Sequence, residues 1–134
     1  MPSRAPVLPL ACLLLAVLLF PSCNNALNPF CGSARPKPVI GSLSPNTMSF
    51  SQVEQGTLLI VNGSNFVSSS LVVINGKTIS TTVTSNQQLR VEITTAVISG
   101  PGTVNVSVHT PGGNSGDLGC TSGGDSSALV LTIT

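Results

Sequence analysis

The sequence predicts an all-β chain folded as a sandwich of two antiparallel sheets with about seven strands, and three observations carry that prediction. Short runs rich in Val, Ile, Leu and Thr recur from Pro38 to Thr134, separated by clusters of Gly, Asn, Pro and Ser. Within the runs apolar and polar residues alternate at period two, which sends them to opposite faces of a strand. Helix formers are scarce, and even the longest stretch free of turn signals, Gln87 to Ser99, alternates in its first half. No helix of three turns is expected.

The chain is expected to divide into residues 1–22, 23–37 and 38–134. From Val7 to Phe20 the sequence is apolar and uncharged, too short for the roughly 20 residues that span a bilayer. With Arg4 before it, residues 1–22 read as a secretory signal. The segment ends Phe20-Pro21-Ser22-Cys23, which resembles the lipobox of bacterial lipoproteins, where cleavage before the cysteine leaves it acylated. That family prefers Leu at the position of Phe20 and a small residue at that of Pro21. The resemblance implies lipidation of Cys23 and a membrane anchor, since acyl chains bury about 0.8 kcal/mol per methylene. Ordinary signal-peptidase cleavage and a secreted chain are the alternative. Residues 23–37 hold Pro, Gly, Asn and two basic residues without periodicity, as expected of a flexible tether.

The expected strands are Val39–Leu43, Thr57–Asn62, Leu71–Asn75, Lys77–Thr84, Gln88–Thr94, Thr103–His109 and Ala128–Ile133. Alternation assigns Leu59, Val61, Val72, Ile74, Leu89, Val91, Ile93, Val104, Val106, Val108, Leu129, Leu131 and Ile133 to the core. Asn75-Gly76, between two strands, is a hairpin signal because both residues tolerate positive φ in a type I′ turn.

Pro38-Val39-Ile40 followed by Ser42-Leu43-Ser44-Pro45 resembles the opening of IPT/TIG domains, which are immunoglobulin-like sandwiches. The resemblance continues through Gly56, Leu59-Ile60-Val61-Asn62-Gly63-Ser64-Asn65-Phe66 and Val72-Val73-Ile74-Asn75-Gly76. It extends to Gln88-Leu89, Gly102 to Val108, Pro111-Gly112-Gly113 and Ser127 to Ile133. It covers residues 38–134 and departs only in an enlarged Gly/Ser/Asp/Cys loop from Pro111 to Ser127. Gly63 is expected to allow positive φ or close sheet contact. Phe66 is expected to plug one end of the sandwich, and Pro45 to shift the first strand toward the second sheet. In such a sandwich the start of the first strand and the last loop share a pole. If Cys23 is lipidated, Cys31 and Cys120 remain as a pair, and the resemblance implies a Cys31–Cys120 disulfide in an oxidising compartment.

Composition narrows the function. Five basic and four acidic side chains give a net charge of +1, no electrostatic grip for nucleic acid. The loop from Gly112 to Asp125 carries Asn and Asp oxygens. Its spacing matches neither the EF-hand nor the Gly-Gly-x-Gly-x-Asp repeat, and two carboxylates are few for calcium. His109, the single histidine, lies near Asp117 in sequence, yet no Gly-x-Ser-x-Gly elbow accompanies it. Neither a catalytic site nor a closed zinc site is expected, and no cofactor. The chain has no Trp or Tyr, the usual platforms for sugars.

These readings lead to a non-enzymatic, exported module of a bacterial envelope, anchored through Cys23 and engaging a protein partner. A carbohydrate-binding module is the alternative. Ile60, Val73 and Val130, outward apolar positions among hydroxyl residues, are the candidate interaction surface, through sheet-edge or face contacts.

Overall fold

The computed structural model describes residues 35–113 and 122–134. Ten strands and a short helix follow one another as β1 (Val39–Ser44), β2 (Thr47–Met48), α1 (Phe50–Gln55), β3 (Thr57–Ser64), β4 (Leu71–Ile74), β5 (Lys77–Ile79), β6 (Thr82–Ser85), β7 (Gln88–Ile93), β8 (Gly102–Thr110), β9 (Gly124–Asp125) and β10 (Leu129–Ile133). They form a four-stranded sheet in the order β1-β3-β7-β6 and a six-stranded sheet in the order β2-β10-β8-β4-β5, with β9 added to the end of β8. All pairings between these strands are antiparallel except that of β10 with β2. The fold is thus the all-β, immunoglobulin-like sandwich that the sequence predicts.

Between the sheets lie Leu59 and Val61 of β3, Val72 and Ile74 of β4, and Leu89, Val91 and Ile93 of β7. Val104, Val106 and Val108 of β8 and Leu131 and Ile133 of β10 complete this layer. Each such side chain, fully buried, contributes about 1.5–3 kcal/mol. Of the residues assigned to the core by alternation, only Leu129 is half-buried, at the start of β10. Ile40, Leu43, Met48, Val53, Phe66 and Ile98 extend the core from the strand ends and loops.

Three local departures from the expected strands have physical causes. The run Lys77–Thr84 is two strands in different sheets, β5 beside β4 and β6 beside β7. At the break, Thr81 Oγ1 donates to the Ile79 carbonyl at 2.8 Å and accepts from the Val72 amide at 2.8 Å, taking over a ladder partner as the strand leaves. The first strand also changes sheets, at Pro45 as expected, and β2 pairs with β10. Helix α1 was outside the expected elements. Ser49 and Gln52 close a capping box at its start, with the Gln52 amide donating to Ser49 Oγ and the Ser49 amide donating to Gln52 Oε1. The helix buries Val53 and ends at Gly56, whose φ is 76°.

The Asn75-Gly76 hairpin has φ of 48° and 81°, as a type I′ turn requires. Gly63 serves close contact: a Cβ there would lie 2.0 Å from the Val39 carbonyl oxygen and 2.6 Å from Cζ of Phe66. Phe66 is 3% exposed and closes its end of the core, as expected.

Candidate interaction faces

A sandwich offers partners its strand edges or its outer faces, and here the edges are blunted. On the four-stranded sheet, edge strand β1 lies between Pro38 and Pro45 and has a register shift between Ile40 and Ser42. The opposite edge, β6, has four residues and a shift between Val83 and Ser85. Edges β2 and β5 of the other sheet have two and three residues. Short, bulged and proline-flanked edges resist addition of a foreign strand, which leaves the faces.

The outer face of the six-stranded sheet is built on β8, whose outward residues Thr103, Asn105, Ser107 and His109 alternate with the buried valines. Register sets Val130 beside Asn105, Val73 beside Ser107, and Thr78 beside Val73. Val130 is 56% exposed and Val73 half-buried. Asn75 braces this end, its amide donating to the Asn105 carbonyl and its Oδ1 accepting from the Asn105 amide, both at 3.0 Å. At the other end β9 brings Asp125 beside His109, where Nδ1 lies 2.7 Å from Asp125 Oδ1. Between these ends is a shallow depression of about 460 Å³ lined by Val73, Gly76, Thr78, Asn105, Ser107, His109 and Asp125.

The outer face of the four-stranded sheet has another chemistry. Leu58, 49% exposed, lies beside Glu92, and half-buried Ile60 lies beside Arg90. One row further, Asn62 Nδ2 donates to Ser42 Oγ at 3.4 Å and Gln88 Nε2 donates to Asn62 Oδ1 at 3.3 Å. A depression of about 610 Å³ runs beside Leu58, with Ile79, Thr82, Arg90, Glu92 and Val97 in its wall. Ile60 therefore lies on the opposite side of the sandwich from Val73 and Val130. Leu58 was not among the expected surface residues, although its alternation with Leu59 marks it as outward.

Arg35 organises one pole. Its Nη1 donates to the carbonyls of Pro111 and Gly112 at 3.0 and 3.1 Å, its carbonyl accepts from the Gly123 amide at 2.8 Å, and it forms a parallel bridge with Ser122. Cys23, Cys31 and Cys120 lie outside the described residues, as does Asp117. Among the described residues no hydroxyl is hydrogen-bonded to the His109 imidazole, whose partner is Asp125 rather than a residue of a triad. Also among them, no three His, Cys, Asp or Glu side chains converge for a metal, and no helix is long and apolar enough to cross a membrane.

A comparison with curated proteins finds no match. Thirteen chains of solved structures match. One of these is an auxiliary nutrient binding protein from Bacteroides ovatus, 19% identical with a TM-score of 0.48. The similarity covers 75% of this chain and 21% of that one, so the chain spans about a fifth of that protein's length. The profile of the IPT/TIG domain family matches residues 38–126. With its two-sheet sandwich and the Ser-Pro and Gly-Ser-Asn-Phe elements in place, the chain belongs to the IPT/TIG domain family.

Proposed function

We propose that this chain is a non-enzymatic interaction module of a bacterial envelope, engaging a protein partner through the outer face of its six-stranded sheet. The observation that carries the reading is the contrast between blunted edges and an uncovered, neutral face on which Val130 and Val73 stand among Asn105, Ser107 and Thr78. Such a face suits a partner of mixed apolar and hydroxyl character, since packing there strands no charge. A carbohydrate is the second reading, favoured by the convergence of hydroxyl, amide and imidazole groups on the depression along β8.

Export and attachment belong to the same proposal. Residues 1–22 act as the signal, Cys23 carries the lipid, and residues 23–37 form the tether below the domain of residues 38–134. The Arg35–Ser122 bridge supports a Cys31–Cys120 disulfide, because it holds together chain segments that closely follow the two cysteines. Such a bond would close a long loop and stabilise by roughly 2–4 kcal/mol.

Pull-down from native envelopes with the whole chain as bait tests the partner. Specific capture lost in Val130→Asn with Val73→Asn supports the reading. Binding of defined glycans, abolished by the Asn105→Ala variant and without protein capture, replaces it with the carbohydrate reading. Mass spectrometry of the mature N-terminus tests acylation of Cys23, and alkylation of both Cys31 and Cys120 without reduction would overturn the disulfide.

A further inference from the structure

We infer that the outer face of the four-stranded sheet is a self-association surface, and that its occupant is a second copy of this chain. The inference rests on the other side of the sandwich from the partner face proposed above and is independent of it.

Four outward side chains on neighbouring strands form a two-by-two pattern. Leu58 and Glu92 occupy one level of the β3–β7 ladder, and Ile60 and Arg90 occupy the next outward level. Successive outward residues stand about 7 Å apart along a strand, twice the rise per residue. Each level thus has one aliphatic and one charged member, and the two charges are opposite. Arg90 and Glu92 are exposed, and among the described residues neither forms an ion pair. Glu92 lies against the backbone of Gly56, where a Cβ would come 2.6 Å from its Oε1.

Consider two such faces packed about 10 Å apart. A two-fold axis in the interface plane, perpendicular to the strands and midway between the levels, exchanges the two levels. Arg90 then faces Glu92 of the partner subunit and Glu92 faces Arg90 of the partner subunit. The same operation sets Leu58 against Ile60 of the partner subunit, and Ile60 against Leu58 of the partner subunit. One axis satisfies two ion pairs and two aliphatic contacts, which is the self-complementarity that a two-fold interface requires. An axis parallel to the strands fails this test, because it lays each charge on an aliphatic side chain and leaves both charges unpaired. A neutral foreign surface would leave Arg90 and Glu92 without partners, so the charge pattern selects a second copy.

Charge exchange tests the proposal with the full chain in two differently tagged forms, co-produced, with a photo-crosslinker in place of Leu58. The wild type is expected to give a covalent homodimer containing both tags. R90E and E92R are each expected to lower that yield about tenfold or more, since each sets like charges opposite one another twice in the dimer. The double variant R90E/E92R restores it, and so does co-production of R90E with E92R, because each of these combinations recreates both opposite-charge contacts. All of these variants change exposed residues and leave the buried core intact. Absence of the homodimer in the wild type, or equal yields from every charge combination, would overturn the proposal.

Discussion

The two sheets bury the same kind of inner layer, alternating Val, Leu and Ile, but turn different chemistry outward. The six-stranded sheet presents a neutral mosaic in which Val130 and Val73 are separated by Asn105 and Ser107, with its charge gathered at one end in the His109–Asp125 pair. On the four-stranded sheet, Leu58 and Ile60 stand directly beside Glu92 and Arg90. Inner residues are constrained by packing, so they resemble one another; outer residues are free of that constraint, and their differences are where function is to be sought. A neutral face accepts many partners at low desolvation cost, whereas an alternating charged face favours one register and one orientation.

Substitutions separate the shared interior from the distinct exteriors. Leu59→Ala and Leu131→Ala, one from each sheet, are each expected to cost about 2–5 kcal/mol in chemical denaturation. A small loss at either position would break the symmetry of the interior. Gly63→Ala forces a Cβ into the Val39 carbonyl and the Phe66 ring, with an expected cost of about 1–3 kcal/mol or more. Ser70→Ala leaves the buried Thr110 hydroxyl without its 2.8 Å partner and should cost about 1–3 kcal/mol. Leu58→Ser and Val130→Ser should change stability by no more than about 0.5 kcal/mol. They should still divide by function, the first weakening self-association and the second partner capture. His109→Ala is expected to have the smallest effect on stability, since exposed ion pairs contribute about 0–1 kcal/mol.

Much of the interior was legible because it depends on local alternation: Leu59 and Val61, or Val104, Val106 and Val108, declare their face without knowledge of their neighbours. The Asn75-Gly76 turn was legible for the same reason, being set by two residues. The strand break at Ser80-Thr81 was not, because the run from Lys77 to Thr84 contains no Gly or Pro, and the hydroxyl that ends pairing belongs to a good strand former. Helix α1 left a signature in Ser49 and Gln52, but six residues are too few for a helical period to emerge. The faces were legible only in part. Alternation marks Ile60, Val73 and Val130 as outward, yet which outward residues share a face is decided by long-range pairing, and pairing separates Ile60 from the other two. His109 was associated in sequence with Asp117, whereas the β8–β9 register brings it to Asp125.

The claim that faces rather than edges carry the function can be tested in one experiment, with a photo-crosslinker placed singly in the full chain at Val130, Leu58, Val39 and Thr84 in native envelopes. Val130 and Leu58 report on the two faces, Val39 and Thr84 on the edge strands β1 and β6. Adducts from Val130 with another protein and from Leu58 with a second copy, with none from Val39 or Thr84, are the expected result. Adducts confined to the edge positions would contradict it.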